Sequence, residues 1–187
     1  MLNVALKEWS IVCDLLLDGE LSLLLRKGGI EEDEGPGRFR LRHPRFALFP
    51  SWAHQKPERI EPRYRERVEV LDEPDELTMH GYAESVDIRE VPNRAALDSL
   101  NDLHCWTDEY VDMRWNYRPE NPLFVVALRA YRLAEPKRIP NRAAYGGCRS
   151  WVPLEDEDTV DIGGATPVLD IDAHDARMTE ISTRLTG

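Results

Sequence analysis

Apolar residues near the N-terminus recur with the spacing of a helix. The recurring positions are Leu6, Trp9, Val12, Cys13 and Leu16. This i, i+3, i+4, i+7 rhythm predicts an amphipathic helix over residues 6–17, and the short apolar run over 21–25 predicts a strand. Because the intervening Asp18-Gly19 is also a strong hairpin dipeptide, two strands over 11–17 and 21–25 remain an alternative. We favour a helix followed by a strand.

The next elements are predicted from alternation and from a candidate cap. Phe39 and Leu41 alternate with three arginines, and 45–49 is again strand-like, so a hairpin with one arginine-lined face is expected over 38–49. Ser51 is a candidate N-cap for a helix starting within 50–55. Residues 84–91 alternate as a strand does.

Two helices and two strands follow. Asn93 is a candidate cap for a helix over 93–104, and Thr107 with two acids behind it predicts a second helix start. In that second helix, the side chains expected to face inward are Tyr110, Met113 and Tyr117. Residues 123–133 are the strongest strand candidate, and 149–154 form another. The pattern predicts a single α+β domain with a mixed or antiparallel sheet of about five to six strands and a few helices.

The chain's last part differs in composition from the rest. Residues 1–154 are interpreted as the α+β domain, and residues 155–187 as an acidic, loosely ordered C-terminal tail. Within the tail, 178–185 could form a short helix. Such a tail is most simply a solubilising segment, and a sharper alternative is that it folds over and masks basic residues.

Charge and cysteine usage narrow the class of protein. The 187 residues carry a formal net charge of −11, but residues 36–67 have nine basic and three acidic side chains, whereas 152–187 have nine acidic and two basic ones. No apolar stretch approaches the roughly 18–20 residues that cross a bilayer, so a soluble, cytoplasmic protein is expected. Three widely spaced cysteines argue for reduced thiols rather than a disulfide framework.

Two segments that each hold a Gly-Gly pair beside cationic residues are the leading candidates for a binding site. Glycine lets a backbone approach an anion closely, although the same composition is typical of an ordinary turn, and the spacing of a P-loop is absent. We call residues 26–29 and 145–151 the first and second glycine islands. The candidate ligand or anion-binding residues are Arg26, Lys27, Gly28, Gly29, His54, Gln55, Gly146, Gly147, Cys148, Arg149 and Trp151.

Arginines at every second position suggest nucleic-acid binding. Arg38, Arg40 and Arg42 would project from one strand face, with Arg45 opposite, and aromatic residues elsewhere could stack on bases. The stacking candidates are Trp52, Tyr64, Trp115 and Trp151. In so acidic a chain, the simpler alternative is a solvated hairpin face whose arginines pair with carboxylates.

Catalysis and metal binding have weaker support in the sequence. Cys148 could act as a nucleophile with His54 or His104 as base, but an unpaired cysteine is more often a small buried residue. No two histidines or cysteines have the spacing of a structural zinc site. We therefore predict no metal and no cofactor, and leave catalytic residues unassigned.

Several of these motifs together resemble the uncharacterised bacterial and archaeal domain-of-unknown-function family 1802. They are Ala5–Trp9, Leu23–Ile30, Phe46–Pro50 with His54-Gln55, and Pro122–Leu133 with Tyr145–Trp151. The resemblance covers residues 5–154 and implies no activity, cofactor or catalytic residue. A suggested association of some members with restriction-modification systems points toward nucleic acid as a partner.

Three functional hypotheses follow. The first is a nucleic-acid or phosphate-ligand binding module, which requires that the two glycine islands adjoin in space. The second is a hydrolase or transferase that uses Cys148 or His54. The third is a protein-interaction or regulatory domain that uses the acidic tail.

Overall fold

The computed structural model describes residues 1–27, 43–147 and 150–186. These residues form seven strands and five α-helices, with short 3-10 turns at 57–59, 143–145 and 156–158. The strands are β1 (Val4–Trp9), β2 (Leu23–Lys27), β3 (Arg45–Ser51), β4 (Glu76–Glu90), β5 (Leu123–Pro140), β6 (Trp151–Pro153) and β7 (Thr166–Pro167). The helices are α1 (Ser10–Leu17), α2 (Pro62–Arg65), α3 (Arg94–Asp98), α4 (Asp108–Asn116) and α5 (Ile171–Thr186).

All seven strands belong to one mixed sheet. Its order is β2-β5-β4-β3-β1-β6, with β7 added beside β5. The β1–β3 pair is parallel and the other pairs are antiparallel. The predicted α+β class is therefore confirmed, with slightly more strands than expected.

Helix α1 packs against one face of the sheet. Seven of the eight residues of α1 are buried, and its apolar side chains pack with those of β1, β3 and β5 in one hydrophobic cluster. A second cluster covers the other face of β1 and β3. A third cluster lies where α3, α4 and α5 pack against β2 and β5.

The N-terminal helix begins later than its periodicity predicts. Residues 4–9 form a strand between β3 and β6, and the helix occupies only 10–17. Val4, Ala5 and Leu6 are all buried, and a strand buried on both faces has no alternation that separates it from a helix. The helix starts where the Gln55 side-chain oxygen accepts from the Ile11 amide at 3.2 Å.

The helix predicted to start at Ser51 is absent from this part of the described chain. Pro50 and Ser51 instead continue β3, paired with Glu8 and Trp9 of β1. Proline is tolerated there because β4 pairs only with residues 45–47 of β3, so the missing N–H leaves no ladder partner unsatisfied on that side. The Glu73 carboxylate then holds the following turn, accepting from the Trp52 and Ala53 amides at 3.1 and 2.8 Å.

The predicted caps of α3 and α4 are found. Asn93 accepts from the Ala96 amide at 2.9 Å, and Thr107 accepts from the Tyr110 amide. The predicted inward face of α4 is wrong in part, because Met113 and Tyr117 are exposed whereas Val111 is buried.

The acidic C-terminal segment contributes to the core, which differs from the loose attachment expected of it. Val160 bridges to Leu2, β7 pairs with β5, and α5 runs from 171 to 186 rather than from 178 to 185. Ile181 and Leu185 are buried in the third cluster. These two residues form a narrow apolar stripe on an otherwise polar helix. The average composition of the segment does not reveal such a stripe.

Close packing of α1 on β4 requires glycine at position 81. A Cβ on Gly81 would lie 2.5 Å from the Tyr131 carbonyl oxygen and would overlap the Leu17 side chain.

We expect Gly81→Ala to lower the free energy of unfolding by about 1–3 kcal/mol, measured by urea denaturation. Gly163→Ala is the matched control, since its Cβ would meet only the exposed Asp161 side chain at 3.3 Å. Equal losses in both variants would contradict this account of the packing.

Candidate functional site

A cavity of about 580 Å³ lies between β1 and β2, which are far apart in the strand order of the sheet. Its wall combines residues of β1, β2 and α4 with the loops that follow β3 and β5. The lining side chains with charge or aromatic rings are Lys7, Glu8, Trp9, Arg26, Phe49, His54, Glu73, Asp75, Trp106, Tyr110, Arg114 and Arg142. The volume lies within the range of about 300–1,000 Å³ that is usual for small-ligand sites.

An ion pair joins the two ends of the sheet at the cavity wall. Arg26 of β2 pairs with Glu8 of β1, and its Nη1 also donates to Ser150 Oγ, just before β6, at 3.2 Å. The side chains of Arg26 and Glu8 are 12% and 13% exposed. Burial raises the pKa of Glu8, while the charges of Arg26 and Arg114 oppose that shift. We call this three-residue contact the Arg26 clasp.

Three aromatic rings form one side of the cavity. Trp9 and Trp106 meet edge to face with ring centroids 5.2 Å apart, and Tyr110 lies 4.6 Å from Trp106. The Arg59 guanidinium lies 5.2 Å from the Tyr110 ring. This aromatic wall, defined as Trp9, Trp106 and Tyr110, offers apolar surface on which a planar group can pack.

Arg114 is the cation of the cavity best placed to receive an anion. It lies one helical turn after Tyr110 on α4, so both side chains are on the face that lines the cavity. Within the ranges that the structure describes, Arg114 makes no ion pair or hydrogen bond, and it is half-buried. A guanidinium in this state can bind a phosphate or carboxylate through two parallel hydrogen bonds.

Other charged groups of the wall are engaged within the protein. The Lys7 ammonium donates to the carbonyl oxygens of Tyr145 and Gly147, and it lies 5.4 Å from the Phe49 ring. The Glu73 carboxylate accepts the donors of the turn after β3. These contacts hold the loops in place around the cavity.

The first glycine island is divided between two faces of β2. Arg26 faces the cavity, whereas the adjacent Lys27 is buried on the other side, where its ammonium donates to the Trp115 carbonyl oxygen. Burial, followed by the charge of Arg114, lowers the pKa of Lys27. Gly28 and Gly29 lie outside the described residues.

The second glycine island contributes backbone to the same cavity. Gly146 and Gly147 line it, and Ser150 bonds to Arg26 of the first island, so the described ends of the two islands adjoin. The Gly146 amide donates to the Ala143 carbonyl oxygen at 3.1 Å, and it is therefore already used. Gly147 has a φ of 82°, in the left-handed region that favours glycine. Cys148 and Arg149 lie outside the described residues.

Trp151 is partly buried and packs against the first hydrophobic cluster. Its ring meets those of Phe46 and His43 edge to face, with centroids 5.3 and 5.2 Å apart, and it is not among the residues that line the cavity.

The neighbouring residues His54 and Gln55, both predicted to contact a ligand, have side chains in different surroundings. His54 is exposed at the cavity with a φ of 60°, an uncommon backbone conformation for a residue with a side chain. Gln55 is buried and joins the start of α1 to the loop after α2, because it accepts from Ser10 Oγ at 3.2 Å and donates to the Glu69 carbonyl oxygen at 2.6 Å. The structure thus gives Gln55 a supporting position and leaves His54 accessible.

Of the four arginines predicted to bind nucleic acid, Arg38, Arg40 and Arg42 lie outside the described residues. Arg45 pairs with Glu84 of the neighbouring strand at 2.7 Å and does not line the cavity. Of the stacking candidates, Tyr64 is buried, and Trp52 and Trp115 pack against hydrophobic clusters.

Among the described residues, no group of three or more histidine, cysteine or acidic side chains converges as metal ligands would. Cys13 and Cys105 are buried, and burial raises the pKa of each thiol. Within the described chain, no helix combines the length and the apolar character needed to span a membrane.

The sequence did not identify the aromatic wall or Arg114 as parts of a binding site. The spacing of Tyr110 and Arg114 by four residues places them on one helix face, but that face could be assigned to a cavity only once α4 was known to lie beside β1. Because the apolar residues of β1 run on into those of α1, periodicity predicts a helix at Trp9, where the structure has a strand.

Residues 5–180 match the family described as "Domain of unknown function (DUF1802)", and the chain belongs to that family. The match extends well beyond residue 154, so most of the acidic C-terminal segment is part of the family's domain. No curated protein matches the chain.

Solved structures with a similar arrangement include ASCH from Zymomonas mobilis. That structure has 11% sequence identity and a TM-score of 0.46, covering 83% of this chain and 89% of the ASCH chain. A mutant of the same protein has 12% identity and a TM-score of 0.46, covering 83% of this chain and 91% of its own.

One buried imidazole supports the aromatic wall and predicts a pH dependence. His104 Nδ1 accepts from the Trp106 amide at 3.2 Å, which assigns the proton of the neutral ring to Nε2. Burial lowers the pKa of His104 to about 4. The pKa of His104 in the folded state lies below the ordinary value of about 6.5. The stability that the neutral, buried imidazole contributes is therefore complete above pH 6.5 and is lost as pH falls toward 4.

We expect the free energy of unfolding of the native protein to fall by up to about 3 kcal/mol more than that of His104→Asn between pH 7 and pH 4. Asparagine keeps an acceptor for the Trp106 amide but does not titrate. Urea denaturation across this range measures the difference. Parallel curves for the two proteins would show that His104 is not the group responsible.

Proposed function

We propose that this chain binds nucleic acid or a nucleotide-like phosphate ligand, in the cavity beside the Arg26 clasp. The observation that carries the proposal is that the aromatic wall and Arg114 face the same cavity. Nucleotides combine a flat aromatic base with an anionic phosphate, and proteins recognise them by stacking on aromatic side chains and by cationic contacts to phosphate.

The geometry supports a single nucleotide unit in the cavity. A cavity of about 580 Å³ has the size of an ordinary small-ligand site. The aromatic wall would receive the base, and Arg114 would bind the phosphate. The unit could be a free nucleotide or one nucleotide of a single strand turned toward the protein.

Arg26 has a different role here from the one that its sequence context suggests. Its guanidinium already bonds Glu8 and Ser150, so it supports the cavity wall and is not an uncompensated cation. The Gly147 backbone and the accessible His54 remain candidate ligand contacts, because both lie on the wall. Arg114 replaces Arg26 as the principal anion contact in this proposal.

The direct test is calorimetric titration with each of the four ribonucleoside 5′-monophosphates, with the four nucleosides, and with a 12-nucleotide single-stranded DNA of mixed sequence. The proposal expects monophosphates to bind more tightly than nucleosides, and binding to weaken as salt rises. Tighter binding of the DNA would identify a strand as the natural partner. Absence of binding by all of these probes would refute the proposal.

Arg114→Gln should weaken the binding of monophosphates about tenfold or more. A hydrogen bond to a charged group is worth about 1.5–3 kcal/mol, and about 1.4 kcal/mol is a factor of ten in affinity. Nucleoside binding should change little, because the nucleoside has no phosphate. Arg89→Gln is the matched control, since this half-exposed arginine pairs with Asp87 away from the cavity. Equal losses in both variants would mean that only overall charge matters.

A further inference from the structure

Arg142 is a second arginine on the cavity wall, and it differs from Arg114 in having carboxylate partners. It lies just after β5, between Asn141 and Ala143, which also line the cavity. Its Nε donates to Asp158 Oδ2 at 2.8 Å, and its Nη2 pairs with the Glu157 carboxylate. Its side chain is 35% exposed, so the guanidinium remains within reach of solvent and of a ligand.

The two carboxylates on Arg142 are held very differently. Asp158 is buried and also accepts from the Tyr145 hydroxyl at 2.5 Å. Burial alone would raise the pKa of Asp158, but the hydrogen bonds from Arg142 and Tyr145 lower it below the ordinary value. Asp158 is therefore a fixed, ionised partner that orients the guanidinium.

The side chain of Glu157 is held only through its carboxylate. Its side chain is 71% exposed, and within the described chain its carboxylate has Arg142 as its only hydrogen-bond partner. Exposed ion pairs of this kind contribute little to stability, so Glu157 can leave Arg142 at little cost. Its main chain stays in place, because the Glu157 carbonyl oxygen accepts from the Lys137 ammonium at 2.6 Å.

We propose that Arg142 is a second anion contact of the cavity, and that Glu157 is the exchangeable internal carboxylate that a ligand phosphate replaces. This inference rests on the proposed function. Asp158 keeps the guanidinium in position while Nη2 exchanges one anion for another. A phosphate monoester carries more negative charge than a carboxylate and presents three acceptor oxygens, so it competes with Glu157 more effectively than a carboxylate ligand does.

The exchange also sets a preference among ligands. A neutral nucleoside cannot replace the carboxylate, so the charge of Glu157 should affect monophosphates and leave nucleosides unaffected. The clearest variant is Glu157→Gln, because it removes the competing charge from an exposed side chain and leaves the buried Tyr145–Asp158–Arg142 contacts intact.

The experiment is calorimetric titration of the native protein and of Glu157→Gln with the four ribonucleoside 5′-monophosphates and the four nucleosides. We expect monophosphates to bind two- to fivefold more tightly to Glu157→Gln, with nucleosides unchanged. The matched control is Glu180→Gln, which removes the same charge from a glutamate paired with Arg184 on α5, away from the cavity. The control should not gain affinity.

The outcomes separate this inference from the proposed function. If the native protein binds monophosphates but Glu157→Gln binds them equally or more weakly, Arg142 is not an exchanging contact and the proposed function survives. An equal gain in Glu180→Gln would also overturn the inference, because it would show a general charge effect. If neither the native protein nor Glu157→Gln binds any monophosphate, both ideas fail.

Discussion

The ion pair between Arg26 and Glu8 holds together two parts of the sheet that no backbone ladder joins within the described residues. Arg26 is on β2 at one end of the strand order, and Glu8 is on β1 near the other end. A buried pair of this kind stabilises little relative to an apolar core, but losing one partner costs about 3–5 kcal/mol because a buried charge is left uncompensated. The hydrogen bond from Arg26 to Ser150 extends the contact to the residue before β6. One polar contact thus connects strands that are far apart in the sheet order.

The cavity is a consequence of that closure. With the sheet ends held side by side, β1 presents Trp9 opposite the loop of Trp106 and the face of α4, and the aromatic wall assembles from three separate parts of the chain. Three polar side chains that bond within the protein support it: Gln55 at the start of α1, Glu73 in the turn after β3, and Asp158 behind Arg142. Some polar residues around this cavity therefore support its wall, and others are available to contact a ligand. Arg114 is the clearest example of the second group.

Local rules recovered much of the fold from sequence. The caps Asn93 and Thr107 and the strong strand beginning at 123 depend on short-range chemistry and were predictable. The start of α1, the extension of β3 through Pro50 and the docking of α5 depend on which elements become neighbours, and periodicity carries no such information.

The candidate site shows the same division. Four residues that the sequence nominates, Arg26, His54, Gly146 and Gly147, share one cavity wall. Sequence could not show that Arg26 would be occupied by Glu8 or that Lys27 would turn to the opposite face. Nor could it identify Arg114, whose value as a ligand contact is that it has no ion pair or hydrogen bond to a carboxylate among the described residues.

We propose the cavity beside the Arg26 clasp as the place where the chain binds its ligand. The most direct measurement is nuclear magnetic resonance of the five tryptophan indole N–H groups during titration with ribonucleoside 5′-monophosphates. We expect the signals of Trp9 and Trp106, which line the cavity, to shift first and farthest. Shifts that leave both of these signals unchanged while moving those of Trp52, Trp115 or Trp151 would contradict the account.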